Sequence, residues 1–524
     1  MQTTVATPSG ALEGSAGRGV RVFKGIPYAR PPLSGLRFRA PEPVVPWTGV
    51  RSARSFGSAA PQVGPANRLI RQFIGVADVA QSQDCLYLNV WTPARKEGAR
   101  LPVMLWIHGG AFLLGSGSTL IYDGTSLATE GDVVVVTINY RLGALGYLNW
   151  RSLASGAELP DANLGLRDQI AALAWVRDHI ECFGGDPENV TIFGESAGAM
   201  SVGTLLGTPA ARGLFHRAIL QSGATHNVST SEQAAITARH FFDELGIEKP
   251  TWEVLEGLSV GDLMRAQLRT TTRLGLLEGI LPFQPSVDGD VLPEPPLAAI
   301  RKGLSRSVPT LLGTNRDEWK LFMVGDPRAG GLDPARLERR FRRILQALGG
   351  RTEELVARAC DTYRRVKGPW GAEPVERWIA FQSDRIFHYP AACLADAQSA
   401  QNPSTYAYLF EWSPPLARRR IGACHGIDLP FVFGTLRHPL LRPLWGSSLG
   451  AWKLTRRMQR AWLGFAHTGC PAHDGLPEWP AYSRWHRSTM SLAGQCTLLE
   501  DPHQRARGFW AEILRDDKLP WRRR

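Results

Sequence analysis

Cysteine is scarce in this chain: seven residues in 524, at Cys85, Cys182, Cys360, Cys393, Cys424, Cys470 and Cys496. The number is odd, the spacing is wide, and no Cys-x-x-Cys pair occurs. That argues against both a disulfide framework and a zinc site, and it fits a reducing, cytoplasmic compartment. Long apolar runs are missing as well. No stretch reaches the roughly 18–20 apolar residues that cross a bilayer. Met1 to Gly19 lacks a basic segment followed by an apolar one, so no signal peptide is expected. Internal repeats, low-complexity tracts and domain-separating linkers are absent too. The chain is therefore expected to be one domain, 1–524, with insertions near residues 55–82 and 320–400.

Charge is unbalanced but not concentrated. The net charge is +12, carried mostly by arginine, while 44% of residues are hydrophobic and 21% charged, as in a soluble globular protein. A nucleic-acid binder would gather its arginines and interleave them with aromatics. Here the densest runs (Arg336 to Arg343, Arg418 to Arg420, Arg522 to Arg524) are short, so solvated faces are expected and no nucleic-acid partner.

What is present alternates between strands and helices. Thr3 to Phe38 reads as short strands and turns, and residues 55–82 as a surface excursion with a short amphipathic piece at Leu69 to Ile74. Strands are expected at Cys85–Trp91, Leu101–Ile107, Val133–Asn139, Val190–Phe193, Ala218–Gln221, Val308–Leu312 and Thr405–Phe410. A helix is expected over Asp168–Phe183, a turn at Asp186-Pro187, and a helical insertion over Leu332–Arg364. Strands alternating with helices imply right-handed crossovers and a mostly parallel central sheet flanked by helices, an α/β fold.

One stretch organises the rest. Val190-Thr191-Ile192-Phe193 runs into Gly194-Glu195-Ser196-Ala197-Gly198, and a helix-like run, Ala199 to Leu206, follows. This is the strand–elbow–helix context in which a nucleophilic serine is pushed out of a tight turn, and the two glycines leave room for the close approach. Such a serine needs a base. Histidine titrates in the right range, and in α/β-hydrolases the chain order is serine, then acid, then histidine. Seven of the twelve histidines lie beyond the Val308–Leu312 strand. His425 stands out among them, because Gly422 and Gly426 let its loop turn sharply after the Thr405–Phe410 strand. The other six, including His388 and His503, lie in helical or Arg/Pro-rich surroundings. For the acid, the loop after Val308–Leu312 offers both Asp317 and Glu318, and pattern alone does not choose. An oxyanion hole needs backbone N–H groups that substrate can approach. The loop His108-Gly109-Gly110-Ala111-Phe112 supplies two, and Ala197 a third. His108 itself is expected to be structural.

At this point the chain resembles the type-B carboxylesterase family. The resemblance rests on Phe183-Gly184-Gly185-Asp186-Pro187 leading into the serine motif, Asn163-Leu164-Gly165-Leu166-Arg167-Asp168-Gln169, Asn139-Tyr140-Arg141-Leu142, and His425-Gly426-Ile427-Asp428-Leu429-Pro430-Phe431. It implies an α/β-hydrolase fold and a serine esterase acting on a small-molecule ester. Ser196 would be nucleophile, His425 base and Glu318 acid. The oxyanion donors would fall on Gly110, Ala111 and Ala197, and Ser222 would support the acid. Leu281 and Phe283 fall where the family lines its acyl side, and Phe112 and Leu114 border the oxyanion loop; each could equally pack in the core. No metal or organic cofactor is implied. Triad logic does not separate esters from carbamates, amides, lactones or thioesters. A non-catalytic binding protein on this fold is the reading from another class, but such relatives lack a triad residue and this chain keeps all three. The chain departs from the family at Gln83, where an acid is usual, and at Ala59-Ala60, where secreted members place the cysteine that would pair with Cys85. Cys85 is therefore expected to be a free, buried thiol.

Overall fold

The β-branched and apolar runs become the middle of one large sheet. A computed structural model of the chain describes residues 3–64, 79–93, 98–154, 159–275, 279, 281–323, 332–347, 351–364, 373–415, 421–438 and 448–514. In chain order the strands are β1 (Thr4–Thr7), β2 (Gly10–Glu13), β3 (Ser15–Gly17), β4 (Val20–Pro27), β5 (Val50–Ser52), β6 (Tyr87–Pro93), β7 (Leu101–Ile107) and β8 (Val134–Ile138). They continue with β9 (Gly185–Glu195), β10 (Arg217–Gln221), β11 (Thr310–Asn315), β12 (Thr405–Phe410), β13 (Ser488–Leu492) and β14 (Thr497–Glu500).

Eleven of these form a sheet in the order β14-β13-β12-β11-β10-β9-β7-β8-β6-β4-β3, while β1, β2 and β5 make a small separate one. From β13 through β8 every pairing is parallel; β14 at one end and β6, β4 and β3 at the other run antiparallel to their neighbours. The central strands are covered on both faces, which is why β8 (VVVTI) is buried at every position. One face packs against the helices Leu164–His179 and Ala197–Leu206, the other against Leu449–Thr468.

Leu101–Ile107 and Thr405–Phe410 form as read from sequence, and the long helix spans Leu164–His179 with a 3₁₀ turn through Phe183. Asp186-Pro187 is not a free turn. It lies inside β9, in the irregular stretch between Gly185, paired with Leu101, and Val190, paired with Val103. A proline there surrenders no ladder hydrogen bond. The segment Leu332–Arg364 yields two helices, Pro334–Ala347 and Thr352–Arg364, seated by Leu337, Phe341, Ile344, Val356 and Tyr363. The piece at Leu69–Ile74 and the runs Arg418–Arg420 and Arg522–Arg524 lie outside the described residues. Among the described residues no helix is long and apolar enough to cross a membrane.

Candidate active site

The parallel strands β7, β9, β10, β11 and β12 end on the same side of the sheet, where open α/β sheets bind their ligands. Each end carries a residue singled out above. β9 delivers the elbow. Gly194 and Gly198 face each other so closely that a Cβ on Gly194 would sit 2.5 Å from the Gly198 carbonyl carbon, and one on Gly198 would sit 2.0 Å from Ile107 O. Ser196 takes φ 57° and ψ −127°, a region that costs a non-glycine residue about 1–3 kcal/mol and persists only where the surroundings impose it. Its N–H donates to Gln221 O (2.9 Å) and its C=O accepts from Met200 N–H (2.8 Å). From Thr191 to Met200 only Ser196 is not buried.

β7 delivers the glycine loop. A Cβ on Gly109 would lie 3.0 Å from Ser196 Cβ and 2.7 Å from Glu195 O, so only glycine lets this backbone pass the serine. Gly110, Ala111 and Phe112 then take φ 111°, 57° and 60°. The loop is closed by Leu113 and Leu114 N–H on Gly110 O and by Gly143 N–H on Phe112 O. The N–H groups of Gly110, Ala111 and Ala197 make no backbone hydrogen bond among the described residues. His108 is a structural part of this loop: its Nδ1 donates to Gly109 O (2.8 Å), its ring stacks on Tyr140 at 4.5 Å, and burial lowers its pKa to about 4.

β11 ends at Asn315, and the next turn carries both candidate acids. Asp317 is committed elsewhere: its carboxylate accepts from Ala423 N–H and from Arg316 (2.8 Å each), with Lys320 Nζ at 3.7 Å. It thereby ties down the loop that holds the histidine. Glu318, with no exposed surface, points the other way. Its Oε1 accepts from Asn315 N–H (2.7 Å), and its Oε2 lies 2.6 Å from His425 Nδ1. Asn315 also reaches the His425 loop, its Nδ2 donating to Cys424 O (2.8 Å) and Asp428 Oδ1 (3.2 Å). Among the described residues the buried Ser222 Oγ has no hydrogen-bond partner, and Glu318 is held instead by Asn315.

The other ring nitrogen, His425 Nε2, faces Glu195 Oε1 at 3.1 Å without forming a hydrogen bond, and none joins it to Ser196. Burial pushes the Glu195 carboxyl up to about 8, against the pull of His425. Burial works to lower the His425 pKa, but Glu195 and Glu318 outweigh it and raise it to about 9. The protonation of each group therefore depends on that of the other.

Several neighbours escaped the sequence reading. Phe387 and Phe322 flank the His425 ring at 4.7 and 5.4 Å, and Phe322 is 38% exposed. Glu195 sat in plain view inside the serine motif. Of the four candidate wall residues, Phe112 and Phe283 are fully buried and pack on Tyr147 and Phe241, so they belong to the core. Leu114 and Leu281 keep partial exposure.

Comparison with known proteins follows this geometry. The profile of the carboxylesterase family matches residues 1–510. The para-nitrobenzyl esterase of Bacillus subtilis is 42% identical over 512 residues, covering 96% of this chain and 97% of its own. The phenmedipham hydrolase of Pseudarthrobacter oxydans is 36% identical over 489 residues, 91% and 92% of the two chains. Among solved structures, a Geobacillus stearothermophilus carboxylesterase superposes with a TM-score of 0.85 at 40% identity, covering 97% of this chain and all (100%) of that one. The chain belongs to the carboxylesterase family and has its α/β-hydrolase fold.

Proposed function

We propose that this carboxylic ester hydrolase works through an acyl-enzyme on Ser196, with His425 as general base and Glu318 as the carboxylate that orients it. The observation that carries the reading is a partly exposed serine on a strained elbow, in a site whose His425–Glu318 contact is already 2.6 Å. Ser196 Oγ attacks the ester carbonyl as His425 Nε2 takes its proton. The N–H groups of Gly110, Ala111 and Ala197 receive the oxyanion, each worth about 3–4 kcal/mol in such sites. The imidazolium protonates the departing alcohol, and water activated by the same ring releases the acid. Nε2 must turn from Glu195 to Ser196 on the way; such contacts commonly tighten only when substrate binds.

The partly exposed Leu114, Leu281 and Phe322 support an apolar substrate wall, and the name of the Bacillus relative makes nitrobenzyl esters the first substrates to try. The whole chain acts as one domain in this reading. Seven free cysteines support a reducing compartment. The Ser196→Ala variant, folded as judged by circular dichroism, should lose roughly 10⁶-fold in kcat on a p-nitrophenyl ester. Turnover within tenfold of the parent would overturn the assignment.

A further inference from the structure

Across Asn315 from Glu318 lies a second group of titratable side chains. The helix Pro374–Ser383 runs through a turn of π-helix, Asp384–His388, into the helix Tyr389–Ser399. Such turns are rare and recur at functional positions. His388 is buried there with both ring nitrogens engaged: Nδ1 lies 2.8 Å from Asp384 Oδ1, and Nε2 lies 2.9 Å from the main-chain oxygen of Asn315. A carbonyl oxygen only accepts, so Nε2 carries hydrogen. Nδ1 then faces a carboxylate, and a proton must lie between them.

The other groups around the ring agree. Asp384 and Glu318 favour the charged ring and outweigh its burial, so its pKa is raised. His503 stacks on it at 4.0 Å, and burial together with the charge on His388 holds the His503 pKa down to about 3. The remaining charges on this wall neutralise one another, Arg507 with Asp501 and Arg487 with Asp396. Asp384, His388 and His503 have the composition of a metal site. However, His388 already spends both ring nitrogens on Asp384 and on the Asn315 main-chain oxygen, which leaves it no lone pair for an ion.

We propose that His388, protonated against Asp384, is a positioning residue for the catalytic carboxylate, acting through Asn315. The link is short. Asn315 gives its C=O to His388, its N–H to Glu318 Oε1, and its Nδ2 to Cys424 O, the carbonyl just before His425. Fixing that carbonyl fixes the end of β11 and, with it, acid and base together. The inference rests on Glu318 being the acid.

Two substitutions separate the two bonds. In His388→Asn the amide replaces Nδ1 and keeps Asp384 but falls short of Asn315. In His388→Gln it replaces Nε2 and keeps Asn315. With p-nitrophenyl esters, His388→Asn should lose roughly 10²-fold in kcat, the scale of an ångström's misplacement, with KM within about twofold. His388→Gln should stay within about tenfold of the parent. In a Glu318→Gln background, His388→Asn should cost nothing further, because groups acting through one another are not additive. An unaffected His388→Asn enzyme, a His388→Gln enzyme as poor as it, or losses that multiply would each overturn the proposal. So would stoichiometric zinc by elemental analysis, lost with the activity on chelation. Full activity in Glu318→Gln alone would instead overturn the reading of Glu318.

Discussion

Glu195 is the residue whose chemistry reaches furthest beyond its place in the motif. It is buried against His425 Nε2, the atom that accepts the serine proton in the proposed mechanism. A base works only when neutral, and the His425 pKa is raised, so the free enzyme should gain activity as pH rises, with an acid limb above the ordinary histidine value of about 6.5. The Glu195→Gln change removes one of the carboxylates that hold the proton on His425. Its acid limb in kcat/KM should move to lower pH, with plateau activity within about tenfold of the parent. A pH–rate profile checks this, and an unmoved limb would mean that Glu195 does not govern the base. The same scale explains why Glu318 and not Asp317 meets His425. Two adjacent carboxylates leave the chain in different directions, and Asp317 spends its oxygens on Ala423 and Arg316.

Among the elements, the most specific sequence motifs turn out to be ties. Asn139-Tyr140-Arg141-Leu142 and Asn163 to Gln169 lie far apart in sequence, yet Asp168 accepts from the Arg141 N–H (3.0 Å), Nε (2.8 Å) and one terminal nitrogen (2.7 Å). Arg141 reaches on to the Arg37 and Arg39 carbonyls. Both side chains are nearly inaccessible, so breaking the pair leaves a buried guanidinium uncompensated. Asp168→Ala should cost about 3–5 kcal/mol, read as a lower urea midpoint, with the residual folded enzyme still active. Element ends were less legible than element cores. β11 was expected over Val308–Leu312 but runs from Thr310 to Asn315, because Thr314 and Asn315 pair with Leu409 and Phe410 of β12. Two polar residues join a strand only when a neighbour supplies the ladder, and that neighbour lies some ninety positions away in the chain.

For the molecule as a whole, the fold holds together without covalent staples. The sheet and its two faces bury large aromatics such as Trp91, Trp106, Trp150, Trp462 and Trp510, and all seven cysteines are free, with Cys85 and Cys424 fully enclosed. The thermal midpoint should therefore be the same within about 1 °C with and without a reducing agent. A drop on reduction would reveal a disulfide. Many arginines of the +12 surface are paired in place, among them Arg342 with Glu353, Arg358 with Glu512 and Arg505 with Asp361. These three pairs lie at the solvated surface.

The sequence by itself determined the parallel sheet, the elbow serine and the glycine-flanked histidine. Those features are local: apolar runs of strand length and glycines where a Cβ would collide leave their mark on consecutive residues. Only the tertiary structure decided the rest. Which of two adjacent acids faces the histidine depends on where Arg316 and Ala423 already draw one of them. That Asn315 holds Glu318 where Ser222 was expected, that Phe112 and Phe283 are core and Phe322 and Phe387 flank His425, and that His388 stands behind Asn315 all follow from contacts between segments many residues apart. Burial and partner choice belong to the packed chain, and no window of neighbouring residues records them.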